Sequence, residues 1–373
     1  MLCRIILLCM TVIYCNIAIA ASGWDNWANA EAARQDDKTN QPTDDTQTST
    51  DNWANKLVDD TPINKDLKYP DWFKTSFLDL REDIQEAKQQ DKLGVIVYFG
   101  QQHCPYCEYL LNINWGKKQD IVEYTKRYFD VVAINIWGQL PVVTPDGTET
   151  TERKYSELED TRFTPTLLFY NTKGKEVFRL RGYYPPYKFR AALDYVIGGF
   201  YTQQNFATYL EYADPPERFD LEGLNTNPIF EKPPYLLKRT HLASEQPLVI
   251  LFEQGLCHAC DVLHSHHLEQ TNILNKLTQM EVVQLDIWSD TPLQTPSGKR
   301  MTARQWAKNL NVFYTPSFVF FNEKGQEIIR LDSITGLNRL HSVLQYVLSA
   351  DYALYSNYQQ WQAEQDSQQL CFD

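Results

Sequence analysis

The chain has 373 residues, of which 43% are hydrophobic and 13% aromatic. This is enough for two or three domains that each bury a core. The formal net charge is −13 at pH 7 and the sequence contains no basic stripe. Nucleic acid and anionic membrane surfaces are therefore excluded as favoured partners.

The first 20 residues have the pattern of an export signal. Arg4 precedes an apolar stretch over residues 5–13, and the small residues Ala18 and Ala20 offer a cleavage site. The stretch falls short of the roughly 20 residues that a membrane helix needs. We expect cleavage near Ala20 and location in the periplasm, with an uncleaved anchor as the alternative.

Residues 21–67 are predicted to form a disordered tether, because they are rich in Asp, Asn, Gln and Thr and contain few aliphatic side chains. The motif Asp-Asn-Trp-Ala-Asn occurs twice in this segment, around Trp27 and Trp53. The repeat is either a small duplication of no consequence or a pair of docking motifs that fold on a partner.

The first folded segment begins with helical spacing of apolar residues over 71–90. An unbroken apolar run over 93–99 then predicts a buried strand, which leads directly to Cys104 and Cys107. The elements predicted after Cys107 are a helix, a second helix over 121–128, a strand over 131–137, a helix over 152–158, a hairpin formed by 165–170 and 176–181, and closing helices over 188–201 and 202–212.

The same order of elements then recurs. A second apolar strand leads to Cys257 and Cys260, which lie 153 residues after the first pair. A period this long indicates two whole domains rather than a solenoid. Later matches settle at an offset of 151 residues, namely Trp137 with Trp288, Thr164 with Thr315, and Pro165 with Pro316. We expect both tryptophans to pack in the core beside the cysteine helix.

The repeat divides the chain into segments. Residues 68–212 are predicted to form the first domain and residues 235–365 the second. A proline-rich connector over 213–234 joins them, and a tail over 366–373 follows.

The distribution of the cysteines points to redox chemistry. Three of the eight (Cys3, Cys9 and Cys15) lie in the export signal, and the rest are the two pairs and Cys371. Secreted disulfide scaffolds scatter their cysteines to join distant segments, and this chain does not. Its pairs are therefore expected to handle disulfides. Cys371, near the end, could cross-link dimers, accept electrons or have no role.

A strand, a Cys-x-x-Cys at a helix start, a helix, a strand and a Thr-Pro that opens a hairpin resemble the thioredoxin superfamily, twice over residues 68–365. The Ile-Trp-Gly/Ser and Thr-Pro-Asp/Ser-Gly segments are similar to those of SoxW-type exported thioredoxins. The resemblance implies an α/β fold of two tandem thioredoxin-like domains, each a central mixed sheet flanked by helices. It also implies a protein disulfide oxidoreductase that needs no cofactor beyond its redox-active disulfides.

The resemblance assigns roles to the four paired cysteines. Cys104 and Cys257 would be the nucleophiles, because free N–H groups and the helix dipole at a helix start stabilise a thiolate. Cys107 and Cys260 would resolve the mixed disulfide.

The two Thr-Pro sites match the family's cis-proline. A cis bond before Pro165 and Pro316 would turn the backbone of Thr164 and Thr315 toward the sulfur. That backbone would then pair with an extended substrate segment as an added strand.

The chain departs from the family at the buried acid that precedes the first cysteine. Tyr98 and Leu251 stand at the corresponding positions. Glu253, two residues further along the second strand, could assist Cys260 in its place.

The residues between the cysteines differ in the two copies. Pro105 and Tyr106 form the dipeptide of glutaredoxins, whereas His258 could stabilise the Cys257 thiolate as a cation. The two pairs are therefore expected to have different potentials.

The sequence leaves the activity partly open. The SoxW resemblance favours a reductase or repair role, with a membrane thiol as electron donor, over an oxidase. One alternative is a metal-binding or copper-chaperone-like protein that uses Cys257, Cys260 and His264, although His264, His266 and His267 would otherwise form a solvated helix face. Another is a non-catalytic scaffold.

Overall fold

The computed structural model describes residues 60–213, 223–240, 242–355 and 357–370. This part of the chain contains two copies of one α/β arrangement. The predictions that fall outside the described residues are the export signal, the tether up to residue 59 with Trp27 and Trp53, and Cys371.

The first copy is built on a four-stranded sheet in the order β2-β1-β5-β6. Strand β1 is parallel to β2 and antiparallel to β5. Its elements are α1 (Leu80–Gln89), β1 (Gly94–Gly100), α2 (Pro105–Tyr109), a π-helical segment (Leu110–Lys117), α3 (Gln119–Tyr128), β2 (Phe129–Asn135), β3 (Pro141–Val143), β4 (Glu149–Thr151), α4 (Glu152–Leu158), β5 (Thr166–Asn171), β6 (Glu176–Arg181), α5 (Pro186–Ile197), a 3₁₀ turn (Phe200–Thr202) and α6 (Phe206–Ala213).

The second copy repeats this sheet in the order β9-β8-β12-β13. A small sheet joins β7 to the hairpin of β10 and β11. The elements are β7 (Tyr235–Leu236), β8 (Leu248–Glu253), α7 (His258–Val262), a π-helical segment (Leu263–His267), α8 (Thr271–Leu277), β9 (Glu281–Asp286), β10 (Pro292–Gln294), β11 (Arg300–Thr302), α9 (Ala303–Asn309), β12 (Ser317–Phe321), β13 (Glu327–Leu331), α10 (Leu337–Leu348), a 3₁₀ turn (Asp351–Ala353) and α11 (Tyr358–Leu370). No helix among the described residues is long and apolar enough to cross a membrane.

The central strand of each sheet is fully buried, as its unbroken apolar run predicts. Every residue of β1 is buried, and its side chains alternate between the two faces of the sheet. Ile96 packs in one hydrophobic cluster, and Val95 and Val97 pack in another. Burial of each such side chain contributes about 1.5–3 kcal/mol, so β1 holds the cysteines that follow it on a rigid base.

The helix predicted over residues 71–90 is shorter in the structure and begins only at Leu80. Leu78 has a positive φ of 66°, which a right-handed helix cannot contain. The Asp79 side chain then accepts hydrogen bonds from the first turn as the N-cap. Phe77, which the apolar spacing placed on the helix, is 96% exposed.

Residues 60–67, predicted as the end of the tether, are held against the first domain; we call them the N-terminal strap. Asp60 and Leu67 are both buried. Within the strap, the Ile63 backbone N–H donates to the His103 carbonyl at 3.1 Å. The strap therefore crosses the loop that carries the first cysteine.

The two domains contact each other through loops that are equivalent in the repeat. The Ile334 N–H donates to the Tyr183 carbonyl at 3.2 Å. Gly182 has a φ of +87°, and a Cβ there would lie 2.0 Å from Ser333 Oγ. Only a residue without a side chain permits this close approach.

The last helix of each copy also contacts the other copy. The Ala207 N–H of α6 donates to Asn311 Oδ1 at 3.2 Å. In return, Gln359 of α11 donates through Nε2 to the Arg162 carbonyl at 2.8 Å. Arg162 and Asn311 lie just before the two Thr-Pro sites, so these helices bring the opposite domain close to the cysteines.

Candidate functional site: two disulfide sites

Each Cys-x-x-Cys pair forms a disulfide at the start of a short helix. The Cα atoms are 5.3 Å apart in Cys104–Cys107 and 5.1 Å apart in Cys257–Cys260. The N–H of the second cysteine donates to the sulfur of the first at 3.1 Å in both pairs. The first sulfur thus occupies the N-cap position, where free N–H groups favour negative charge.

A left-handed residue turns each strand into its cysteine helix. His103 and Leu256 have φ values of 60° and 52°, in a region that non-glycine residues seldom occupy. The turn ends the strand and places the next residue, Cys104 or Cys257, at the edge of the sheet. Pro105 then occupies the first helical turn of α2, where its missing N–H has no helical partner to lose.

The predicted Thr-Pro sites lie beside the cysteines, and the bonds before Pro165 and Pro316 are both cis. Cys104 Sγ is 3.3 Å from Thr164 Oγ1 and 3.7 Å from the Thr164 carbonyl oxygen. The corresponding distances from Cys257 Sγ to Thr315 are 3.7 and 3.8 Å. The structure therefore brings together the cysteine and Thr-Pro residues that the sequence singled out.

At the first site, Tyr106 is clamped between the strap and the second domain. Its hydroxyl donates to Asp60 Oδ2 at 2.7 Å and accepts from the Gly336 N–H at 2.7 Å. Burial raises the pKa of Tyr106 above its ordinary value, and the nearby Arg339 guanidinium opposes this rise. Tyr106 therefore stays neutral and links two segments that lie far apart in sequence.

The Asp60 carboxylate caps a helix of the second domain. It accepts from the N–H groups of Asn338 at 2.8 Å and Arg339 at 2.9 Å. Both lie in the first turn of α10, whose partial positive charge favours an anion. Asp60 thus joins the strap, the first cysteine helix and the second domain.

Arg339 occupies the substrate edge predicted for the first site. Its guanidinium lies 3.6 Å above the Tyr106 ring, and Nη2 donates to the Thr164 carbonyl at 3.1 Å. Thr164 and Pro165 are both buried. The backbone group that would pair with a substrate strand is therefore taken by a side chain of the same molecule.

The described residues enclose the second site less deeply, although Tyr184 of the first domain packs against Phe313 and Tyr314 just before its Thr-Pro. Thr315 and Pro316 are half-buried, His258 is exposed and Leu256 is 47% exposed. Ala259 stands where the first copy has Tyr106, so no hydroxyl is available there for a clamp.

Glu253, predicted to assist Cys260, is fully buried at the end of β8. Its carboxylate lies 3.1 Å from His264 Nε2 and accepts from Gln284 Nε2 at 2.5 Å. His264 follows Cys260 by four residues and so shares its helix face. The assistance to Cys260 stays a prediction.

The histidines after the second pair do not form the solvated face that the sequence predicted. His266 is exposed, but His264 is engaged by Glu253, and His267 is only 3% exposed. Burial lowers the pKa of His267, and a hydrogen bond to the Val262 backbone opposes this shift. The described residues contain no group of three His, Cys, Asp or Glu side chains arranged to hold a metal ion.

The two repeated tryptophans pack against the core clusters of their domains, but each is half-buried rather than enclosed. Trp137 donates through Nε1 to Gln101 Oε1 at 2.7 Å, and Trp288 donates to Gln254 Oε1 at 3.1 Å. Sequence reasoning missed the glutamines. The only signal available was that both immediately follow the central strand at the same offset as the cysteines.

Sequence reasoning also missed the residues that cover the first site. Asp60 lies 46 residues and Gly336 230 residues from Tyr106, and Arg339 lies 175 residues from Thr164. No local pattern connects such distant positions.

These features define a class: a thioredoxin-fold protein with two dithiol–disulfide sites. The sequence model of the thioredoxin-like domain family matches residues 80–197 and again residues 237–348. The chain therefore belongs to this family, and the predicted tandem thioredoxin-like fold is confirmed. The two Cys-x-x-Cys pairs within these domains support thiol oxidoreductase activity; the SoxW-type resemblance stays a prediction.

Several solved structures are similar to parts of the chain. A thioredoxin-fold protein from Helicobacter pylori is 20% identical, covers 38% of this chain and 98% of its own, and has a TM-score of 0.30. A thioredoxin from Thermus thermophilus is 25% identical and covers 31% of this chain and 82% of its own, with a TM-score of 0.25. Thioredoxin O2 from Arabidopsis thaliana, in the oxidized state, is 22% identical, covers 27% of this chain and 75% of its own, and has a TM-score of 0.21. A comparison with curated proteins finds no match.

Proposed function

We propose that the chain is an exported thiol:disulfide oxidoreductase whose second site exchanges disulfides with protein substrates. The observation that carries this proposal is the position of Cys257 beside the half-exposed Thr315–Pro316 edge. An extended substrate segment can pair with the Thr315 backbone and bring its own disulfide to the sulfur.

The exchange proceeds in two displacements on the reduced pair. The Cys257 thiolate attacks one sulfur of the substrate disulfide and releases the other as a thiolate, which leaves a mixed disulfide. The Cys260 thiolate then attacks the Cys257 sulfur, releases the second substrate thiolate and closes the Cys257–Cys260 disulfide. Two electrons pass to the substrate, and no bound cofactor takes part.

The first pair has a different role in this proposal. Both first cysteines are buried, Cys104 at 5% and Cys257 at 8% exposed, but only at the first site does a described arginine, Arg339, hold the carbonyl of the Thr-Pro threonine. Exchange at Cys104–Cys107 therefore requires the strap and the second domain to move away. We assign the faster reaction with protein substrates to the second pair.

The direction and location extend the proposal. The SoxW resemblance favours a reductase or repair role in the periplasm, with a membrane thiol as the electron donor. The Trp27 and Trp53 motifs would then offer a docking site for a partner.

Insulin reduction by the full chain tests the proposed exchange. With dithiothreitol as donor, Cys257→Ser should lower the rate at least about tenfold, since it removes the nucleophile. Cys104→Ser is the matched variant and should retain more than about half of the rate, because the second pair is intact. If wild-type protein does not accelerate insulin reduction, the chain is a scaffold and the proposal fails.

A redox titration tests the direction. The protein is equilibrated in dithiothreitol or glutathione buffers, quenched with acid, unfolded and alkylated, and each pair is then read by mass spectrometry. A second-pair potential near about −270 mV supports a reductase. A value near about −120 to −180 mV would instead assign oxidase or isomerase work.

A further inference from the structure

A chain of hydrogen bonds connects Trp137 with the first cysteine. Trp137 Nε1 donates to Gln101 Oε1 at 2.7 Å, and Gln101 Nε2 donates to Thr164 Oγ1 at 2.9 Å. Thr164 Oγ1 then lies 3.3 Å from Cys104 Sγ. Thr164 is 1% exposed, so water does not compete for its hydroxyl.

The direction of this chain follows from the chemistry of its first member. An indole N–H can only donate, so the oxygen of the Gln101 amide must face Trp137. The amide nitrogen therefore faces Thr164 and donates to its oxygen. The Thr164 hydroxyl hydrogen is left to point toward Cys104.

The second domain fixes the same orientation independently. Gln359 donates through Nε2 to the Arg162 carbonyl at 2.8 Å, and a carbonyl can only accept. The Gln359 oxygen must then face Gln101, and it accepts the other hydrogen of Gln101 Nε2 at 3.2 Å. A fixed donor at one end and a fixed acceptor at the other thus impose one arrangement.

We propose that Trp137, Gln101 and Thr164 act as positioning residues that hold the Thr164 hydroxyl as a donor to the Cys104 thiolate. The inference rests on the proposed disulfide exchange and deepens it. A disulfide sulfur accepts a hydrogen bond weakly, whereas a thiolate accepts a strong, charge-assisted one. The hydroxyl therefore stabilises the reduced pair more than the oxidised pair. The Cys104–Cys107 disulfide is thus a stronger oxidant than it would be without this hydroxyl.

The second copy retains only part of this arrangement. Trp288 donates to Gln254 Oε1 at 3.1 Å, but Gln254 makes no hydrogen bond to Thr315 within the described residues. Thr315 Oγ1 is 3.7 Å from Cys257 Sγ. The second pair thus provides an internal control that shares the residue types and lacks the completed chain.

The test compares Thr164→Val with wild type in the full protein. Valine keeps the shape and the carbonyl that Arg339 binds but removes the hydroxyl. Reduction of the first pair takes two electrons from dithiothreitol, which is oxidised to its cyclic disulfide. At pH 8, Thr164→Val should lower the equilibrium constant for this reduction about tenfold, a change of about 30 mV. Thr164→Ser should restore it, because serine keeps the hydroxyl.

Thr315→Val is the matched variant. It should change the equilibrium constant for reduction of the Cys257–Cys260 pair less than about threefold, since the Thr315 hydroxyl is not held toward the Cys257 sulfur. Both pairs are read from the same acid-quenched, unfolded and alkylated samples. Gln101→Met should also lower the equilibrium constant for reduction of the Cys104–Cys107 pair, but by less than Thr164→Val does.

A second readout follows the Cys104 thiolate directly. In protein with serine at every cysteine except Cys104 and Cys107, thiolate absorbance at 240 nm, reduced minus oxidised, is followed against pH. Thr164→Val should move the lower titration midpoint upward by about one pH unit. If Thr164→Val changes neither the titration midpoint of Cys104 nor the equilibrium constant for reduction of the first pair, the positioning role is overturned. Insulin reduction by wild type would be unaffected by that result. Loss of insulin reduction by wild type would overturn the proposed function instead.

Discussion

The two disulfide sites share a strand, a left-handed turn, a short helix and a cis Thr-Pro, yet their surroundings differ. At the first, Arg339 takes the Thr164 carbonyl and Asp60 holds Tyr106. At the second, the Thr315 edge remains half-exposed. A duplicated sequence therefore reproduces the reacting groups, while access to them depends on what the rest of the chain places above each copy.

The largest expected effect comes from separating the two domains at Gly182. In Gly182→Ala, the new Cβ would lie 2.0 Å from Ser333 Oγ, so the loops must part. Reduction of the first pair by a protein dithiol, reduced thioredoxin, should become about 100-fold faster, because overpacking of this kind costs about 1–3 kcal/mol. Acid quenching and mass spectrometry of each pair measure the rate.

Two further variants separate this clash from backbone strain. Gly174 also has a positive φ, of 72°, but the nearest atom to its added Cβ is 3.5 Å away. Gly174→Ala should therefore leave the first-pair rate within about threefold of wild type. Adding Ser333→Gly to Gly182→Ala removes the clashing side chain and should restore slow reduction. Fast reduction in the double variant would contradict the proposed closure.

A smaller effect is expected from removing the carboxylate that caps α10. Asp60→Ala takes away the acceptor of Tyr106, Asn338 and Arg339. Since a hydrogen bond to a charged group contributes about 1.5–3 kcal/mol, the first-pair rate should rise about 30-fold. Asp79→Ala is the matched control, because Asp79 caps α1 away from both sites; it should lower stability without exposing Cys104. Equal effects of the two variants on the rate would show that the strap does not close the site.

Removing one hydroxyl should have a still smaller effect. Tyr106→Phe keeps the ring beneath Arg339 but loses the bonds to Asp60 and Gly336. An accelerated first-pair reduction of about fivefold is expected, with the second-pair rate unchanged. Tyr155→Phe, which alters a buried hydroxyl bonded to Tyr170, is the control and should leave both rates unchanged.

The smallest effect concerns the pH dependence of stability in the second domain. Burial lowers the pKa of His267 below 6.5; the Val262 backbone and the Asp60 carboxylate oppose this shift, and His266 reinforces it. As pH falls through 6.5, the unfolded chain binds a proton that the folded chain does not, so stability decreases. The loss of stability occurs only at pH values below the pKa that the imidazole has in the unfolded chain.

The His267→Leu variant should lose less stability than wild type between pH 7 and pH 5, because it lacks the imidazole that binds a proton mainly on unfolding. Urea unfolding at pH 7, 6 and 5 measures the difference. His266→Leu is the matched control, because His266 is exposed, and should follow the wild-type curve. Parallel curves for wild type and His267→Leu would show that His267 is protonated in the folded protein.

The sequence determined the local chemistry of this protein. An apolar run predicts a buried strand, because only a central strand hides both faces, and β1 is buried throughout. The repeat predicted the second copy, and the Thr-Pro spacing predicted which residues meet the cysteines. Each inference depends on neighbours in sequence or on a pattern that occurs twice.

Only the tertiary structure decided how deeply each Thr-Pro edge is buried. Asp60, Gly336 and Arg339 reach the first site from distant parts of the chain, and the helical periodicity around Phe77 gave no sign that Leu78 would interrupt it. The two copies have the same order of elements, so that order cannot show which Thr-Pro edge is covered. The difference arises because Asp60 of the strap and Arg339 in the first turn of α10 bond to Tyr106 and Thr164 of the first copy, and such packing depends on contacts between residues that the sequence does not place side by side.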